Sequence, residues 1–160
     1  MKRLGLFIAL LYLCLTTAYA AVDHVVVFKE QRILQLMDKQ KIIKSYHIAL
    51  GRNPLGHKQQ EGDSRTPEGT YKLDYINERS SYYRSMHISY PNAIDKKNAK
   101  ARGVSPGGLI MVHGQPNGYE QFSSLTQQRD WTDGCIALTN EEMDEFLSLV
   151  KVGTLISIHP

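Results

Sequence analysis

Apolar positions recur with a period of two through most of the chain. Residues 23–29 hold Val25, Val26, Val27 and Phe28 between polar ends, a short β-branched run. Residues 32–37 follow with Leu34 and Leu36 alternating, and Asp38-Lys39-Gln40 can turn the chain into residues 41–50. There Tyr46, Ile48 and Leu50 fall on one face of a half-buried strand. Asn53-Pro54-Leu55-Gly56 and Gly62-Asp63-Ser64 are turn signals, and residues 70–76, 86–90 and 109–113 are further strand candidates. The period changes twice. Residues 95–101 can form a short helix, and Met143, Phe146, Leu147 and Val150 make one apolar helical stripe behind a Thr139 cap. Residues 154–158 read as a closing strand. The pattern predicts one mainly β domain with one or two short helices.

The first twenty residues depart from this pattern. Lys2 and Arg3 precede an apolar run from Leu4 to Thr17, and Ala18-Tyr19-Ala20 supplies small residues where a signal peptidase reads. The expectation is a signal peptide over 1–20 and a catalytic domain over 21–160. The product would be exported to the periplasm or cell-wall compartment, without a stable membrane anchor after cleavage. Two of the three net positive charges lie in that segment, so the remaining chain is near neutral. Such a balance does not suit a nucleic-acid partner.

Of two cysteines, Cys14 lies inside the expected signal, which leaves Cys135 alone. A lone thiol in an oxidising compartment is either buried and inert or kept for chemistry. Its neighbourhood favours chemistry. His113 ends an apolar strand and is followed by Gly114, while Cys135 follows Gly134 and opens another apolar segment. Imidazole can take the thiol proton, and the thiolate can attack a carbonyl. Gly134 would keep the approach open and leave backbone N–H groups free for an oxyanion. The other histidines lack metal-ligand spacing, and no metal or cofactor is expected.

Three segments together resemble the L,D-transpeptidase catalytic domain (YkuD-type), and the YafK-like subgroup in particular. They are His113-Gly114, Thr132-Asp133-Gly134-Cys135, and Arg65-Thr66-Pro67-Glu68-Gly69-Thr70-Tyr71. The resemblance implies a single β-sandwich/barrel domain. It implies a peptidoglycan-acting enzyme with Cys135 as nucleophile, His113 as proton donor and acceptor, and the Gly114 carbonyl orienting the imidazole. The substrate would be a stem peptide attacked at diaminopimelate, and an amine would resolve the thioester. The acceptor could belong to a second stem or a wall-linked lipoprotein. Alternatives are a hydrolase (an amidase or L,D-carboxypeptidase) and a catalytically silent wall-binding module. Papain-like enzymes place cysteine before histidine, and sortases need an arginine after the cysteine; this chain has neither arrangement. Arg65, Asp133 and Trp131 are substrate-binding candidates. Against them stand a solvated arginine, a turn-capping aspartate and a packing tryptophan. Many relatives carry arginine two residues after the cysteine. Here that position is Ala137, which implies an altered acceptor pocket.

Overall fold

The computed structural model describes residues 21–160, so the expected signal segment lies outside the described residues. Eight strands form one sheet: β1 (His24–Phe28), β2 (Ile33–Asp38), β3 (Lys41–His47), β4 (Gly69–Asn77), β5 (Ser85–Ile88), β6 (Met111–His113), β7 (Ile136–Ala137) and β8 (Leu155–His159). Their spatial order is β3-β2-β1-β8-β4-β5-β6-β7. The helices are α1 (Ala93–Ala101), α2 (Ser123–Thr126) and α3 (Asn140–Leu149), with a 3₁₀ turn at Glu120–Phe122.

The alternation in the sequence is the alternation in the fold. Val25, Val27, Leu34 and Leu36 are fully buried while their neighbours face outward. β4 joins the two halves of the sheet. Its first residues, Gly69–Lys72, pair with β8, and its later ones, Leu73–Asn77, pair with β5. A register shift between Leu73 and Ile76 marks the change of partner, as expected where a bulge bends a sheet. The two sheet halves and α3 share one core that includes Leu36, Ile88, Val112, Ile136, Phe146 and Ile156.

α3 begins where its cap predicts. Thr139 Oγ1 accepts from the Glu142 N–H, and the Glu142 carboxylate accepts from the Thr139 N–H. Met143, Phe146 and Val150 carry its buried stripe.

Three features went beyond the pattern. The helical stretch across residues 120–126 has no fully buried residue and so no apolar stripe to betray it. β7 is two residues long, below the length at which alternation can be read. The strand expected from Leu109 starts at Met111, because Leu109 has φ 54° and is 74% exposed.

Truncating the buried ring of α3 is expected to be far more damaging than removing the cap. Phe146→Ala should lower unfolding free energy by about 3–5 kcal/mol, and Thr139→Ala by about 1 kcal/mol. Urea titration of both variants checks the order and the sizes.

Candidate active site

The site is built where β6 and β7 run side by side. Their parallel register sets Val112 opposite Ile136 and His113 opposite Ala137, which brings Cys135 beside Met111. The Met111 N–H donates to Cys135 Sγ at 3.4 Å. On the other flank, His113 pairs with Ser85 of β5. His113 and Cys135 line one cleft of about 230 Å³ with Arg52, Tyr82, Trp131, Thr132 and Asp133. Tyr82 lies over the imidazole with centroids 4.6 Å apart, and Trp131 meets it edge-on at 5.6 Å. This aromatic roof leaves His113 only 3% exposed.

Backbone geometry fixes both partners. His113 Nδ1 lies 2.7 Å from the Gly114 carbonyl oxygen. A carbonyl can only accept, so Nδ1 carries the proton and Nε2 keeps its lone pair. Gly114 itself has no room for a side chain. A β-carbon there would lie 2.6 Å from Asn140 Oδ1 and 2.9 Å from Tyr83 Cβ.

The cysteine turn is organised by Thr132. Its hydroxyl donates to the Cys135 carbonyl at 2.8 Å and accepts from the Gly134 N–H at 3.1 Å. Gly134 has φ 128°, and a β-carbon there would sit 2.6 Å from the Arg65 carbonyl oxygen. Only glycine satisfies both demands. The Gly134 N–H is thereby taken up by Thr132. Among the described residues, the Cys135 N–H meets no acceptor.

The electrostatics are those of a neutral pair. Burial pushes the His113 imidazole down to about 4, against a small upward pull from the Gly114 carbonyl. Burial likewise pushes the Cys135 thiol up. The Asp133 charge adds to that shift, and the Met111 amide and Lys58 oppose it. The Leu109 carbonyl oxygen lies 3.7 Å from Cys135 Sγ, within reach of the thiol as an acceptor.

The remaining candidates separate. Trp131 lines the cleft and packs against the histidine. Asp133 also lines it, but its carboxylate pairs with the Arg52 guanidinium, while the turn is capped by Thr132. The Arg65 side chain is not among the cleft-lining groups; its main chain matters instead, as the backing for Gly134. Ala137 is fully buried, and its main chain is bonded to Ala49. It does not line the cleft. Arg52 was not singled out from sequence, and Thr132 entered only within the Thr132-Asp133-Gly134-Cys135 segment. The Gly51–Thr132 bridge that brings Arg52 in joins segments far apart in the chain.

The chain matches the L,D-transpeptidase catalytic domain (YkuD) over residues 22–158. It belongs to that family. YafK of Escherichia coli (strain K12) is 32% identical over 143 residues, which cover 86% of this chain and 50% of YafK. The chain thus spans about half the length of the curated relatives it matches. Pgp2 of Campylobacter jejuni, a helical cell shape determining protein, superposes with a TM-score of 0.65 at 28% identity. That match covers 85% of this chain and 46% of Pgp2. An L,D-transpeptidase of Xylanimonas cellulosilytica shares the fold at 15% identity and TM-score 0.57, over 89% of this chain and 62% of its own.

A neutral pair has a measurable signature. Alkylation of Cys135 by iodoacetamide should accelerate continuously with pH through the neutral range and beyond, because the raised thiol supplies little thiolate. A flat rate between about pH 5 and 8 would instead reveal a preformed thiolate–imidazolium pair.

Proposed function

We propose that this domain is a cysteine-dependent acyl transferase acting on peptidoglycan stem peptides. The observation that supports it most is the presence, in one cleft, of the Cys135 thiol and an imidazole whose Nδ1 proton is held by the Gly114 carbonyl. Nε2 is then the atom available to take a proton.

Cys135 Sγ attacks the carbonyl of a diaminopimelate residue in the stem and its proton passes to His113 Nε2. The carbonyl oxygen becomes an oxyanion, and the Cys135 N–H is the donor within reach of it. The C–N bond to the following D-alanine breaks as the imidazolium returns the proton to the leaving amine. An incoming amine then attacks the thioester, His113 takes its proton, and the thiol departs reprotonated. The amine can come from a second stem or from a wall-linked lipoprotein. Water in its place gives hydrolysis. Because the imidazole is neutral above about pH 4, the base stays competent well into the acid range.

The export reading belongs to the same proposal, since the substrate lies outside the cytoplasm. Cleavage after Ala20 is expected to yield a protein beginning at Ala21, and N-terminal sequencing of the secreted form checks it. No helix among the described residues is long and apolar enough to cross a membrane.

Mass spectrometry of purified muropeptides incubated with the protein tests the chemistry. Amine-dependent adducts and released D-alanine are expected. Cys135→Ala should abolish both, and His113→Gln should reduce turnover by about 10²–10⁴-fold. Free acid as the sole product at every amine concentration would replace the transferase with a hydrolase. A folded Cys135→Ala protein with parental activity would overturn the mechanism.

A further inference from the structure

Arg52 and Asp133 bring full opposite charges to the cleft of Cys135, and among the described residues no other Asp, Glu, Lys or Arg side chain lines it. Their adjacency is set by the main chain. Gly51 bridges Thr132, and the Arg52 N–H donates to the Thr132 carbonyl at 3.0 Å, so the two positions neighbour each other whatever their side chains do. Gly51 must be glycine for this, because a β-carbon would fall 2.1 Å from the Ser64 carbonyl oxygen.

The guanidinium and carboxylate meet as an ion pair with side chains 61% and 78% exposed. Exposed pairs of this kind contribute little to folding, so stability does not account for it. Nor does the nucleophile, whose ionisation the Asp133 charge opposes.

We propose that Arg52 and Asp133 form a clamp for the zwitterionic head of an α-amino acid. The carboxylate of such a head would exchange for Asp133 on the guanidinium fork, where two parallel N–H groups can hold it. Its ammonium would exchange for Arg52 on the Asp133 carboxylate. One internal pair is thereby replaced by two intermolecular pairs beside the reacting sulfur. The clamp rests on the function proposed above, and it assigns the group recognised: the free amino-carboxylate end of diaminopimelate, which carries both charges on one carbon. A stem with lysine at that place has the ammonium and lacks the carboxylate.

Calorimetric titration of the full chain carrying Cys135→Ala tests the clamp without turnover. The ligands are four stem tetrapeptides that differ only at the third residue: diaminopimelate, its side-chain carboxamide, its side-chain N-acetyl form, and lysine. The parent peptide should bind at least about tenfold more tightly than each of the others, the factor a lost charged contact typically carries. Adding Arg52→Gln should erase the discrimination against the carboxamide and lysine peptides while keeping that against the acetyl peptide. Asp133→Asn should do the reverse, and Arg52→Lys should retain part of the carboxylate preference. Equal binding of all four peptides overturns the clamp and leaves the proposed function standing. Equal weakening of all four by Arg52→Gln also overturns it, as a merely structural role. No binding of any peptide, together with no product in the muropeptide assay, overturns the substrate assignment itself.

Discussion

The Arg65 carbonyl oxygen occupies the space where residue 134 would carry a side chain, and the reactive turn is seated on that contact. The contact in turn depends on Asp63. Its carboxylate accepts from the Gln59, Gln60 and Arg65 amides and from the buried Lys58 ammonium. Burial pushes this carboxyl up, yet the ammonium and the three amides outweigh it and hold it below the usual carboxylate range. One carboxylate therefore shapes the loop whose carbonyls back Gly51 and Gly134. A second one performs a parallel task. Asp130 takes the Arg32 guanidinium and the Leu50 N–H, tying the approach to the cysteine turn onto the β2–β3 side of the sheet. The nucleophile is thus held from beneath by two polar knots that never touch it.

Much of this was legible in the sequence, and the legible part has a common cause. Strands such as β1 and β2 are half-buried and alternate, and α3 carries both a cap and a stripe, so their signals are local. Cys135 and His113 stood out because glycines flank them at strand ends. What escaped notice depends on contacts between distant segments. Arg52 reads as an ordinary polar residue after Gly51 until the bridge to Thr132 is known. Tyr82 is one of nine tyrosines, and no local pattern sets it over His113. Its place over His113 follows from Tyr83 at φ 63° and from Asn117 bonding back to Ser80 and Tyr83. The burial of Ala137 likewise depends on its register beside His113 and its bonds to Ala49.

The roof over His113 also decides the kind of pair the site contains. An exposed imidazole beside a thiol favours charge separation; one covered by Tyr82 and Trp131 does not, since desolvation disfavours its charged form. Charge therefore has to develop during the reaction, where a donor already fixed by the backbone can meet it without reorganisation. The apolar cover and the backbone donors are complementary parts of one arrangement.

The strand order carries a consequence for the order of events in folding. β8 lies between β1, its parallel neighbour, and β4. The strand synthesised last among the eight is thus the one that sits between the β1–β2–β3 meander and β4. Until it emerges, β1 and β4 have no strand between them and Ile156 and Ile158 are missing from the core; the bonds of residues 49–52 to Thr132 and Ala137 are a main-chain link already available. Such long-range closure is slow compared with hairpin formation. The continuous sheet can therefore close only once this last strand is in place, however early the hairpins form.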